Sequence, residues 1–171
     1  ILVSNNQGKS WKPIVEGLPE RGSVYSLAED HVDPNLLFAG TEFGLHVSTD
    51  GGKNWKALDK GLPTVAVRDI DIQRRENDLI LATFGRGFYV LDDYSVLRTL
   101  SAAVEDQANR LFPVRDAWWY VPNLPMQAKG MPTLGSTNYV AKNPPFGAVF
   151  TYYINMVPKT AAKNRKVEEV S

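Results

Sequence analysis

The 171-residue chain contains no cysteine. That absence excludes disulfide cross-links and cysteine-ligated zinc, and leaves the compartment open. Histidine is scarce too: His31 and His46 stand alone, one in a turn-like stretch and one in a strand-like stretch, and each is expected to be structural. An excess of either charge is lacking, since 19 basic residues face 19 acidic ones. The chain therefore carries no electrostatic footprint of a nucleic-acid groove or an anionic membrane. The one basic run, 159–166, reads as a solvated tail. No apolar run approaches the ~20 residues of a membrane-spanning helix. Catalytic Ser-His-Asp signatures, phosphate loops and zinc patterns are missing as well, so no cofactor and no metal are expected.

What is present is repetition. Ser48-Thr49-Asp50-Gly51-Gly52-Lys53-Asn54-Trp55 follows Ser4-Asn5-Asn6-Gln7-Gly8-Lys9-Ser10-Trp11 at an offset of 44 residues. The shared pattern is Ser-x-Asp/Asn-x-Gly-Lys-x-Trp. In a tight hairpin the short acceptor Asp50 or Asn6 bonds backbone amides. Gly52 or Gly8 takes a positive φ, and Trp55 or Trp11 folds back as an apolar plug. The likeness continues through Lys12 and Lys56 to Gly17-Leu18-Pro19 and Gly61-Leu62-Pro63. A period near 44 residues marks a repeat architecture, and a four-stranded propeller blade has about that length.

Alternation and turn residues place strands at 1–3, 11–15, 24–29, 36–40, 45–48, 55–58, 65–72, 79–83 and 88–91. The third copy decays to Asp92-Asp93-Tyr94-Ser95-Val96-Leu97-Arg98, without the glycine and tryptophan, so the repeats are expected to end there. Leu97, Leu100, Val104 and Ala108 predict a helix over 95–110. Segments 111–114 and 117–121 are apolar, with Trp118-Trp119-Tyr120 expected to pack inward rather than to stack on sugar. Prolines 125, 132, 144 and 145 mark an extended connector, and 147–155 reads as a strong strand with no partner downstream. The chain opens with a strand end just before a motif, without an initiator Met, which predicts a piece of a larger protein.

The repeated motif resembles the Asp-box, or bacterial neuraminidase repeat, of sialidases, some xyloglucan-cleaving glycoside hydrolases, the sortilin ectodomain and photosystem assembly factors, all β-propellers. Ser48, Asp50, Gly52 and Trp55 fill it, and Ser4, Asn6, Gly8 and Trp11 fill it with Asn for Asp. The stretches 82–93 and 143–153 are similar to large bacterial exported proteins described as sortilin-like or as glycosyl hydrolases with BNR repeats, which carry one or two propellers and then a β-sandwich. That family often has His where Phe84 stands.

The resemblance implies that the motif residues are structural and that ligands bind at the opposite end, where Glu20, Arg21, Glu42, Phe43, Lys60, Thr64, Phe84 and Arg86 fall, with Arg68 and Asp69 at the channel mouth. Arg86, between two glycines, is a candidate to hold a carboxylate bidentately, or else to pair with Asp69 or Glu42. A glycosidase needs two carboxylates about 5 to 9.5 Å apart, and Asp69, Glu42 and Asp59 qualify by type. The expected architecture is all-β: about two and a half blades of a partial β-propeller over 1–94, a strap over 95–122, a Pro-rich linker over 123–146, and the first strand of a β-sandwich with a charged tail over 147–171. The expected function is a protein- or glycan-binding scaffold, exported to the periplasm, cell surface or medium, whose partners are the remaining blades, in the same protein or another chain. The alternative is a sialidase- or xyloglucanase-like glycoside hydrolase with its catalytic residues mainly on other blades.

Overall fold

A computed structural model describes residues 1–100, 109–117, 119–120 and 146–154. Its strands form antiparallel sheets, and the chain divides into two compact units, Ile1–Gln107 and Ala108–Ser171.

In the first unit, β1 (Leu2–Val3) pairs with β2 (Lys12–Pro13). Next comes a four-stranded meander of β3 (Val24–Glu29), β4 (Leu37–Thr41), β5 (Gly44–Ser48) and β6 (Lys56–Ala57). A three-stranded meander follows, made of β7 (Val67–Gln73), β8 (Asp78–Thr83) and β9 (Phe88–Leu91). The two meanders repeat each other in detail. Each first strand carries a bulge two residues in, at Tyr25 and at Arg68. Each second strand ends in a threonine whose hydroxyl donates to a glycine carbonyl, Thr41 to Gly44 at 2.9 Å and Thr83 to Gly87 at 2.7 Å.

The core repeats as well. One cluster joins Ile1, Ile14 and Leu18 of the first repeat to Leu37, Ala39 and Trp55 of the second. The other joins Leu45, Leu58 and Leu62 of the second to Leu79 and Leu81 of the third. These are the same positions one repeat on. Strand β4 is buried throughout because it serves both clusters: Leu37 and Ala39 face one, while Phe38, with Leu36 just before the strand, faces the other. Each fully buried Leu or Phe contributes about 1.5–3 kcal/mol by leaving water. Gly40 sets the spacing between the second and third sheets. A Cβ there would meet the Ser26 hydroxyl, the Val67 carbonyl at 2.8 Å and Val67 Cγ1 at 2.9 Å. Only glycine lets β7 come that close.

Among the described residues the third sheet has no fourth strand. In its place is a 3₁₀ helix, Tyr94–Thr99, whose Tyr94 and Leu97 join the second cluster. The helix expected over 95–110 is thus corrected: it is shorter and tighter, and residues 109–111 are extended. Asp93, in the left-handed region, caps it by accepting from Ser95. Residues 101–108 of that expectation lie outside the described residues.

In the second unit, β10 (Asn109–Leu111) pairs antiparallel with β11 (Tyr152–Ile154). The strand expected over 147–155 is therefore shorter, and its partner lies upstream. Trp119 is corrected too: it is exposed, with its ring edge-on to Phe146 at 5.9 Å, while Tyr120 meets the same ring at 5.4 Å. The expected linker, up to residue 145, and the charged tail lie outside the described residues.

Candidate functional site

The two copies of the motif make the same bonds. Ser48 Oγ donates to Asp50 Oδ1 at 2.8 Å and accepts from the Gly52 amide at 2.9 Å, while Asp50 Oδ1 accepts from the Asn54 amide at 2.9 Å. In the first copy Ser4 Oγ donates to Asn6 Oδ1 at 3.0 Å and accepts from Gly8 at 2.7 Å, and Asn6 Oδ1 accepts from Ser10 at 2.9 Å. Gly8 and Gly52 sit at φ 81° and 86°, the left-handed conformation that the turn requires. Burial works to raise the Asp50 pKa, but bonds from Asn54, Ser48 and the Lys53 amide outweigh it and hold it down. Its acceptor capacity is spent within the loop, which suits a turn-former.

The tryptophans differ. Trp55 is 3% exposed and Trp11 58%, so the expectation that both are plugs holds for Trp55 alone. Trp55 Nε1 donates to the Ile14 carbonyl at 3.1 Å, and its amide donates to the Glu16 carbonyl at 2.8 Å. Gly17, at φ 86°, leaves room where a Cβ would strike the Trp55 carbonyl. The motif's tryptophan thus seats in the Gly-Leu-Pro segment of the preceding repeat.

The motif end of the sheets holds a second device that sequence reasoning missed. Asp30, just past β3, has a fully buried carboxylate. Arg98 grips it twice, Nε to Oδ2 at 2.7 Å and Nη2 to Oδ1 at 2.8 Å, and also donates to Asn77 Oδ1 at 2.7 Å. Tyr94 adds its hydroxyl at 2.6 Å, and the Val32 and Asp33 amides donate to Oδ2. Burial pushes the Asp30 pKa up, but the bonds from Arg98, Tyr94 and Asp33, with the Arg98 charge, overcome it and hold it far below the usual range. The Tyr94 hydroxyl is pushed well above its ordinary value, by burial and then by Asp30. The bond to Asp30 raises the Arg98 pKa against its burial. His31 Nδ1 lies 3.4 Å from Asp30 Oδ1. The cluster clasps the 3₁₀ helix to the second sheet. The only signal available was an Asp-x-x-Asp-Pro turn, and no local pattern links Asp30 to a residue 68 positions away.

His46 is buried in β5, and its Nδ1 has no hydrogen-bond partner. Burial lowers its pKa, so the folded protein resists protonation while the unfolded chain takes a proton near pH 6.5. Stability is then full above about pH 6.5 and falls as pH drops below it. Urea midpoints measured at pH 7.5 and 5.5 should show this decline, and a His46→Leu variant should lose most of it. An unchanged pH slope in that variant would refute the assignment.

The opposite end of the sheets gathers most of the expected ligand residues. Loop 42–43 connects β4 to β5 and loop 84–87 connects β8 to β9, each tied to the segment before its sheet through the Glu42 amide to Ser23 and the Phe84 amide to Ala66. The two bulge residues meet here: Arg68 lies with its guanidinium carbon 4.0 Å from the centre of the Tyr25 ring and 5.2 Å from that of Phe84. Phe84 is 69% exposed, and Tyr25, Phe43 and Arg86 are exposed too. A cleft of about 450 Å³ opens beside β3, lined by Ile1, Leu18, Arg21, Ser23, Val24 and Thr41. The expected pairing of Arg86 with Asp69 or Glu42 does not occur. Instead Arg98 pairs with Asp30, and Arg75 with Glu76. Glu42 instead accepts from the Ser23 amide at 3.3 Å, and Asp69 from the Ile70 amide at 2.9 Å. Tyr25 was not foreseen; aligning Val24-Tyr25 with Val67-Arg68 would have found it.

Among the described residues, no group of three His, Asp or Glu side chains converges as a metal site, and no helix is long and apolar enough to cross a membrane. The first unit is thus a set of repeated antiparallel sheets with one hydrogen-bonded end and one end of exposed aromatic and charged residues. Compared with known proteins, the chain matches no family model, no curated protein and no solved structure.

Proposed function

We propose that the chain is part of an exported Asp-box β-propeller that acts as a binding scaffold, taking a protein or glycan at the end built from loops 42–43 and 84–87. The observation that carries this reading is the exposed cluster of Tyr25, Arg68 and Phe84, with Phe43 exposed on the loop of the same end. Exposed aromatics beside an arginine are the composition of binding hot spots.

Further sheets of the same kind are the proposed partners for the outer faces. Phe88 is 77% exposed where its counterpart one repeat earlier, Leu45, is buried, and Trp11 stands open in the same way. The hydrolase alternative gains nothing from Glu42 and Asp69, each of which accepts from a backbone amide.

The test is to probe peptide and oligosaccharide arrays with the full chain and with a Phe43→Ala, Phe84→Ala double variant. Binding that falls at least tenfold in the variant is expected. No binding to any probe, or equal binding by both proteins, would overturn the proposal.

A further inference from the structure

We infer that Asp50-Gly51 is a covalent modification site held closed by its own hairpin: in the unfolded chain it converts to isoaspartate, and the converted chain no longer makes the motif turn. A spell of unfolding is thereby recorded in the covalent structure.

Asp50 is the one aspartate or asparagine in the chain that is followed by glycine. In such a pair no Cβ shields the following amide nitrogen, which attacks the side-chain carboxyl carbon. The new N–Cγ bond closes a five-membered imide, and the amide hydrogen and the carboxyl hydroxyl leave together as water. Water then adds at the main-chain carbonyl and breaks its bond to the Gly51 nitrogen. The chain now runs through Cγ, the former main-chain carbonyl becomes the free carboxylate, and the mass is unchanged.

The folded hairpin blocks each requirement. The Gly51 amide donates to the Asn35 carbonyl at 2.9 Å, outside the hairpin. Asp50 Oδ1 accepts from Ser48 Oγ at 2.8 Å and the Asn54 amide at 2.9 Å, and Oδ2 accepts from Asn54 Nδ2 at 2.7 Å. Burial works against the charged form, but these bonds keep it, and an ionised carboxylate has no hydroxyl to lose. Ring closure therefore waits for the hairpin to open.

Isoaspartate does not fit back. An extra main-chain carbon upsets the spacing between the Asp50 acceptor and the Asn54 amide. The hairpin also has no slack against the first repeat: a Cβ on Gly52 would meet Ile14 Cδ1 at 2.6 Å, and Trp55 bonds the Ile14 carbonyl. The first copy makes the same bonds with Asn6-Gln7, and Gln7 takes the left-handed position at φ 58°. The turn therefore does not require the reactive pair, and this supplies a control.

The experiment incubates the full chain at neutral pH in buffer and in urea. Isoaspartate at position 50 is read by electron-transfer fragmentation of the tryptic peptide 22–53. Steady conversion is expected in urea, with a rate lower by about a hundredfold or more in buffer, where only the small open fraction reacts. Gly51→Gln should fold and suppress the conversion in urea. Ser48→Ala and Asn54→Ala, each checked for a folded circular dichroism spectrum, should convert in buffer at least about fivefold faster than wild type through their lost hydrogen bonds. After dilution from urea, the refolded fraction should be depleted of isoaspartate. No conversion at position 50 in urea would remove the site. Equal rates in buffer and urea, or folded Ser48→Ala and Asn54→Ala that convert no faster than wild type, would overturn the protection by the hairpin. Converted chain that refolds with the wild-type urea midpoint would overturn the covalent record.

Discussion

Replacing Arg98 with alanine should lower the unfolding free energy by about 3–5 kcal/mol, the usual cost of stranding a buried charge. Arg98 supplies the charge and two of the bonds that keep the Asp30 carboxylate ionised inside the protein. Without it the carboxylate keeps the Tyr94 hydroxyl and two amides but loses its counter-charge. Urea unfolding followed by circular dichroism measures the loss. Asp30→Asn should cost several kcal/mol in the same way, and the double variant less than the sum, because each change removes the same interaction. Simple additivity would show that the clasp is not a unit.

The pH dependence follows from the sign of the shift. Asp30 has a folded pKa below its unfolded value near 3.9, so the stability it contributes is present in full above about pH 4. It is lost only as pH falls below that, toward the folded pKa. Acid unfolding of Arg98→Ala should accordingly begin at a higher pH than in wild type.

Trp55→Ala should cost about 3–5 kcal/mol, as large-to-alanine changes in a core do. Trp11→Ala should stay within about 0.5 kcal/mol, as for an exposed position. The two residues share a motif and differ only in what surrounds them: Trp55 lies among Leu37, Ala39, Ile1, Ile14 and Leu18. Trp55→Phe separates packing from bonding. It keeps much of the volume but leaves the Ile14 carbonyl without the indole donor, a loss of about 1 kcal/mol beyond the change in size. Equal costs at positions 11 and 55 would show that the tryptophan acts within its own loop rather than between repeats.

The hairpins were legible because their bonds are local. Ser48, Asp50, Gly52 and Asn54 lie within a few residues of one another, so residue type and spacing suffice to predict the turn. Most strands were legible for the same reason, through alternation and turn residues. The helix over 95–110 misled because helical spacing of apolar residues does not reveal a competing strand. Asn109–Leu111 is extended because Tyr152–Ile154 pairs with it, and that partner stands some forty residues away. Arg68 was visible as a charged residue at a strand start. Its aromatic support was not, because Tyr25 reaches it only across two packed sheets.

The sequence by itself determined the repeat, the turn chemistry, the β class and the decay of the motif in the third copy. Those follow from side chains acting on their own backbone or on near neighbours. Tertiary structure alone decided which tryptophan is buried, that Asp30 and Arg98 meet, that Gly40 brings two sheets into contact, and that two bulges present an arginine on a tyrosine. Each of those depends on how far one sheet can approach another. That distance is set by the summed packing of residues from several strands, which no short stretch of sequence contains.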